Sequence, residues 1–77
     1  MTVLVWSKEN CPFCIRAKKL LSSYGMSFEE KKIGENATRE DFFAANPNCK
    51  TVPQIHINGT LIGGFEDLLF YLASNSQ

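Results

Sequence analysis

Two cysteines separated by two residues are the part of this sequence that could carry out chemistry. Cys11 and Cys14 lie in the segment KENCPFCIRA, and the chain of 77 residues has three cysteines in total. Such a pair could be a structural crosslink, half of a metal site, or a dithiol that is reversibly oxidised. A structural crosslink is disfavoured, because an odd number of cysteines fits a disulfide-stapled secreted domain poorly.

The position of the pair in the predicted structure favours redox chemistry. The β-branched and aromatic run Thr2–Ser7 predicts a strand, and helical spacing of apolar residues from Cys14 to Tyr24 predicts a helix. If Pro12 takes the first helical position, Cys11 is the N-cap and its sulfur faces free N–H groups of the first turn. We therefore expect an exposed Cys11 with a lowered pKa and a shielded Cys14, an asymmetry that stepwise thiol–disulfide exchange requires.

A zinc site is the alternative that the same residues leave open. Cys11, Cys14, Cys49 and His56 would supply three sulfurs and one nitrogen. The usual zinc pattern has a second close pair, whereas Cys49 and His56 are isolated from each other and from the first pair. We expect Cys49 to be an exposed or half-packed loop thiol, and His56 to be a surface histidine in the middle of a strand.

The rest of the sequence completes a small α/β pattern. Gly25 ends the first helix, and a strand over Ser27–Ile33 and a helix from Thr38 to Asn46 are predicted to follow. The next predicted element is a hairpin around Asn58-Gly59, with strands Gln54–Ile57 and Thr60–Ile62. A last helix is marked by Phe65, Leu68, Leu69 and Leu72, and a frayed tail over Ser74–Gln77 follows it. The order β-α-β-α-β-β-α predicts one domain, residues 1–77, with a small mixed sheet flanked by helices.

Composition and charge argue against several classes of partner. Eight basic and eight acidic residues cancel, so the chain lacks the positive charge of a nucleic-acid-binding protein and has no basic cluster for a membrane surface. Val3–Trp6 is too short for a signal-peptide core, and no apolar run reaches membrane-spanning length. The expected location is the cytoplasm, where thiols are kept reduced.

Three motifs together resemble those of the dithiol glutaredoxins. They are Cys11-Pro12-Phe13-Cys14, Thr51-Val52-Pro53, and Gly63-Gly64 followed by Glu66-Asp67. The resemblance extends from Val3 to about Leu72 and implies a thioredoxin-like α/β fold, with a four-stranded mixed sheet flanked by three helices. It also implies that Cys11 is the nucleophile, that Cys14 is the resolving cysteine, and that the peptide bond before Pro53 is cis.

The resemblance further implies a set of contacts to glutathione at the cysteine end of a groove. Lys8 matches the family's lysine for the glycyl carboxylate, and Arg39 resembles a second basic contact. The backbone at Thr51, Val52 and Pro53 would face outward and could pair with an extended substrate. A solvated arginine at the start of a helix remains the alternative for Arg39.

At the other end of the groove, the family's contacts fall on the start of the last helix. The N–H groups of Phe65 and Glu66, which follow Gly64, suit the γ-glutamyl carboxylate. Asp67 matches the family's partner for the γ-glutamyl ammonium group. An acid favoured there by the helix dipole alone is the alternative for Asp67.

The implied activity is glutathione-dependent reduction of protein disulfides and of glutathione mixed disulfides. The resemblance implies a monomer with no metal and no tightly bound cofactor, for which glutathione is the reducing co-substrate. Its protein substrates would be disulfide-containing or glutathionylated proteins, of which ribonucleotide reductase would be one example. The alternatives are a hydrogen donor reduced by thioredoxin reductase and a carrier of a glutathione-ligated iron–sulfur cluster, which Pro12 disfavours. Trp6 is expected either in the core or beside the groove.

Overall fold

The chain folds into four strands and three helices in a computed structural model that describes residues 1–75. In chain order they are β1 (Val3–Lys8), α1 (Pro12–Ser23), β2 (Glu29–Ile33), α2 (Arg39–Ala45), β3 (Gln54–Ile57), β4 (Thr60–Gly63) and α3 (Phe65–Asn75). The predicted order is confirmed. α3 extends to Asn75, so Ser74 and Asn75 belong to this helix and not to the predicted tail. Ser76 and Gln77 lie outside the described residues.

The strands form one mixed sheet in the order β2-β1-β3-β4. β1 pairs in parallel with β2 and antiparallel with β3, so the predicted mixed sheet is confirmed. The β3–β4 hairpin turns at Asn58 and Gly59, whose φ angles of 53° and 81° are both positive, as a type I′ turn requires. No helix in residues 1–75 is long and apolar enough to cross a membrane.

The main core lies between the sheet and the pair α1 and α3. Its fully buried members are Val5, Ala17, Leu21, Ile55 and Leu68. Alternation along β1 sends the next side chain to the opposite face, where Trp6 packs edge-to-face on Phe42 of α2 with ring centroids 5.8 Å apart. Trp6 is only 4% exposed, so it belongs to the interior between the sheet and α2.

A hydrogen-bonded pair joins the end of α2 to β3. The Asn46 side chain is fully buried and donates from Nδ2 to the Phe42 carbonyl over 2.9 Å. Its Oδ1 therefore accepts from His56 Nε2, 2.8 Å away. The prediction of a surface histidine is wrong, because α2 covers this face of β3 and leaves His56 half-buried. Burial lowers the pKa of His56.

Candidate active site

The two cysteines of the motif form a disulfide at the junction of β1 and α1. Their Cα atoms are 5.2 Å apart. Cys11 is the N-cap of α1, with extended backbone angles, and Pro12 begins the helix. The Cys14 N–H donates to Cys11 Sγ over 3.2 Å, so a helix amide is directed at this sulfur. The predicted N-cap geometry is confirmed.

Access to the two sulfurs differs less than the sequence suggested. Cys11 is 7% exposed and Cys14 is 1% exposed, so the prediction of an exposed Cys11 is wrong. The cause is the loop before β3, which brings the Val52 carbonyl oxygen to 3.8 Å from Cys11 Sγ. Cys11 is nevertheless the more accessible of the two.

The covering loop is held by its own contacts. The Val52–Pro53 peptide bond is cis, as predicted, and Pro53 is buried. The side chain of the buried Gln54 donates from Nε2 to the Thr51 carbonyl over 3.0 Å. These contacts place the backbone of Val52 directly beside Cys11.

On the α2 side of the disulfide lies a cavity of about 250 Å³, here called the cationic cavity. It is lined by Lys8, Ile33, Arg39, Phe42, Phe43, Lys50, Thr51 and Val52. Its three basic side chains are all exposed and form no ion pair within residues 1–75, and no acid lines it. Arg39 also lies with its guanidinium carbon 5.8 Å from the centroid of the Phe43 ring. It is therefore both an exposed arginine at the start of α2 and a lining residue of the cavity.

Lys50 is the lining residue that the sequence analysis missed. It precedes Thr51 directly, and this adjacency to a recognised motif is the signal that could have found it. The fold brings it from the loop before β3 to the same cavity as Lys8 at the end of β1.

On the α3 side of the disulfide lies a second cavity of about 450 Å³, here called the α3 cavity. It is lined by Phe13, Thr51, Val52, Pro53, Gly64, Phe65, Glu66 and Asp67. The two cavities share Thr51 and Val52, so they adjoin beside Cys11, whose Sγ lies 3.8 Å from the Val52 carbonyl oxygen; together they are here called the groove. Every residue proposed from the sequence as a glutathione contact lines at least one of the two cavities, whereas the catalytic candidates Cys11 and Cys14 line neither.

Asp67 has a local structural role at the start of α3. Its Oδ2 accepts the Gly64 N–H over 3.1 Å, as the acid of a capping box does. A Cβ at Gly63, where φ is +128°, would overlap the Asp67 carboxylate. Gly63 is thus required both by its backbone angle and by the close approach of Asp67.

A polar network fixes α1, which carries the cysteines, on the sheet. Lys18 Nζ and the buried Ser7 hydroxyl both donate to Glu30 Oε2, the lysine over 2.9 Å. Partial burial raises the pKa of the Glu30 carboxyl, but the hydrogen bonds and the charges of Lys18 and Lys32 outweigh it, and the pKa lies below its ordinary value. The network links α1 to β1 and β2.

The zinc set considered from the sequence is not assembled. Within residues 1–75, no three His, Cys, Asp or Glu side chains lie close enough together to hold a metal ion. Cys49 is a half-buried free thiol in the loop after α2, and His56 is bound to Asn46.

Known proteins similar to this chain share both the motif and the fold. The family model for glutaredoxin matches residues 3–62. Glutaredoxin 3 of Escherichia coli strain K12 is 47% identical over 66 residues, which are 86% of this chain and 80% of that protein. Glutaredoxin 1 from Francisella tularensis, in a crystal structure with cacodylate, superposes with a TM-score of 0.80 at 29% identity, covering 97% of this chain and 94% of that one.

A third similar structure is the buckwheat glutaredoxin–glutathione complex. It superposes with a TM-score of 0.79 at 26% identity, covering 96% of this chain and 69% of that one.

A disulfide at a helix N-terminus, on a four-stranded mixed sheet and beside a cis proline, defines a thiol–disulfide oxidoreductase with the thioredoxin-like fold. With the match to the family model and the relative from E. coli, this chain belongs to the glutaredoxin family.

Proposed function

We propose that this protein is a glutathione-dependent thiol–disulfide oxidoreductase. The observation that carries the proposal is the groove beside Cys11, which has cations without acids at one end and, at the other, the start of α3 with two acids, Glu66 and Asp67. Glutathione has a lone carboxylate at its glycyl end, and both a carboxylate and an ammonium group at its γ-glutamyl end. The charges of the groove complement this arrangement.

Each end of glutathione has a distinct set of partners in this proposal. The glycyl carboxylate binds in the cationic cavity, where Lys8, Arg39 and Lys50 offer unpaired donors. The γ-glutamyl carboxylate binds the N–H groups of Phe65 and Glu66 at the start of α3. The central cysteinyl residue lies against the backbone of Val52 with its sulfur at Cys11.

The γ-glutamyl ammonium group is assigned to Asp67. This carboxylate is exposed and lines the α3 cavity, while one of its oxygens accepts from Gly64. A carboxylate has further acceptor sites, so it can hold the helix start and an ammonium group together. The structure of the buckwheat relative with glutathione supports the choice of ligand.

Reduction of a glutathione mixed disulfide then takes two exchange steps. The Cys11 thiolate attacks the glutathione sulfur, a Cys11–glutathione disulfide forms, and the protein thiolate leaves and takes up a proton. A second glutathione, as thiolate, attacks the sulfur of the bound glutathione; glutathione disulfide leaves and Cys11 is again a thiolate. Each step breaks one S–S bond and forms one.

Reduction of a protein disulfide uses Cys14 as well. Cys11 attacks one sulfur of the substrate, and the other leaves as a thiolate. Cys14 then attacks Cys11 Sγ in the mixed disulfide, which releases the reduced substrate and leaves the Cys11–Cys14 disulfide seen here. Two glutathione molecules reduce this disulfide. We place this chemistry in the cytoplasm, with no tightly bound cofactor and with the protein as a monomer.

The test is the choice of reductant. The protein should turn over a small glutathione mixed disulfide with glutathione, glutathione reductase and NADPH, and should be inefficient with thioredoxin reductase and NADPH. Efficient turnover by thioredoxin reductase, with none by glutathione, would show that the groove serves another ligand. The metal content and absorption spectrum of the purified protein test the cluster-carrier alternative in the same preparation.

A further inference from the structure

An arginine is held against two phenylalanine rings beside the disulfide. The Arg16 guanidinium carbon lies 5.3 Å from the centroid of the Phe13 ring and 5.1 Å from that of Phe65. The two rings are 5.9 Å apart. Phe13 stands between the two cysteines in the sequence and Phe65 begins α3, so these three residues, here called the aromatic–arginine patch, border the groove.

The guanidinium group of Arg16 contacts these two rings but is left without a carboxylate partner among residues 1–75. Arg16 is exposed and forms no ion pair in the part of the chain that the structure describes, although the acid Glu66 adjoins Phe65. Contact with the ring faces orients the guanidinium group but satisfies none of its five N–H donors. The patch therefore presents a positioned cation with free donors to anything that approaches the disulfide.

The patch extends beyond the groove proposed for glutathione. Phe13 and Phe65 line the α3 cavity, whereas Arg16 lines neither of the two cavities. Glutathione placed with its sulfur at Cys11 and its ends in these two cavities has a partner for each of its charges there, so it does not require Arg16. A protein substrate is longer and must cover the rim, where Phe13 is 51% exposed.

We propose that Arg16 is a specificity-determining residue that favours protein disulfides with an acidic side chain next to the attacked cysteine. A carboxylate can accept two N–H bonds from a guanidinium group, and the stacking on Phe13 and Phe65 reduces the entropy lost when they form. The chemical step is unchanged: Cys11 attacks one substrate sulfur and the other leaves as a thiolate. This inference does not depend on glutathione as the reductant, because it concerns only the disulfide that Cys11 attacks.

The experiment uses enzyme reduced with dithiothreitol and freed of it, in a single turnover without glutathione. Two disulfide peptides are compared that are identical except for Glu or Gln on both sides of the attacked cysteine. We expect the wild-type protein to reduce the Glu peptide about fivefold faster, the scale of a favourable exposed ion pair, with the preference falling as salt is added. Because each variant is scored by the ratio of two rates, a change in Cys11 reactivity cancels.

The variants assign the preference to this side chain. Arg16→Gln should lower the Glu-to-Gln ratio and Arg16→Glu should lower it further, while the share that the cations of the cationic cavity contribute should remain in both variants. Lys19→Glu is the matched control, because it makes the same charge change at an exposed position of α1 that has no ring contact, and it should keep the wild-type ratio. A wild-type ratio near one, an unchanged ratio in Arg16→Gln, or an equal loss in Lys19→Glu would each overturn the proposal.

Discussion

The backbone N–H of Cys14 points at the sulfur of Cys11 across the first turn of α1, with 3.2 Å between nitrogen and sulfur. When the disulfide is reduced, the same N–H donor and the positive end of the helix dipole face the Cys11 sulfur, whether it is a thiol or a thiolate. Both favour the thiolate over the thiol. The geometry that joins the two cysteines therefore also makes them chemically unequal.

The first prediction is that the pKa of the Cys11 thiol lies below that of an ordinary cysteine, about 8.5. The physical reason is stabilisation of the thiolate by the Cys14 N–H and the helix N-terminus. The rate of alkylation against pH, measured in the Cys14→Ser variant so that only Cys11 of the pair reacts, gives the value. An apparent pKa at or above that of an ordinary thiol would show that the cap does not stabilise the anion.

The roles of the two cysteines can be separated by substrate. Cys14→Ser should keep turnover of small glutathione mixed disulfides, because that route uses Cys11 alone, and should lose most reduction of protein disulfides. Cys11→Ser should lose both activities. Two coupled assays on the same preparations measure this. Equal losses of both activities in Cys14→Ser would mean that the nucleophile and the resolving cysteine are wrongly assigned.

Asp67 should have two separable functions. Asp67→Ala removes the acceptor for the Gly64 N–H and should lower the free energy of unfolding by about 1 kcal/mol, as loss of a helix cap does. Asp67→Asn keeps an acceptor and should keep most of that stability, but it removes the charge for the γ-glutamyl ammonium group. Both variants should therefore need more glutathione for half-maximal rate. If Asp67→Asn needed no more glutathione than wild type for half-maximal rate, the proposed contact between Asp67 and the ammonium group would be wrong.

Stability should fall on mild acidification because of His56. This is the only histidine of the chain, and burial lowers its pKa in the folded state. The unfolded chain therefore binds a proton first as the pH falls through about 6.5, which favours unfolding. Denaturant titrations between about pH 7.5 and pH 5.5 should show a declining free energy of unfolding in wild type and a flatter profile in His56→Gln. Equal slopes would contradict this.

What the sequence could predict was governed mainly by neighbours in the chain. Pro12 favours the first helical position, which makes Cys11 the N-cap. Asn58 and Gly59 both adopt positive φ angles readily, so these two neighbouring residues are enough to predict the hairpin turn. The cis bond before Pro53 was inferred from the family motif, because an isolated proline would favour trans.

The features that were missed depend on contacts between distant segments. Where α2 lies on the sheet decides that His56 is covered and bound to Asn46, ten residues away in the chain. The approach of the Val52 carbonyl, 41 residues from Cys11, likewise decides how much of the sulfur is exposed. Periodicity within one strand or one loop carries no information about either contact.

The most direct test of glutathione recognition is an NMR comparison of the Cys14→Ser variant with and without glutathione joined to Cys11. We predict shifts of the Phe65 and Glu66 amide resonances, with magnetisation transfer from the γ-glutamyl protons to α3 and from the glycyl protons to the Arg39, Phe43 and Lys50 side chains. An attached glutathione that contacts neither end of the groove, or that lies in it with the glycyl end at α3, would contradict the proposal.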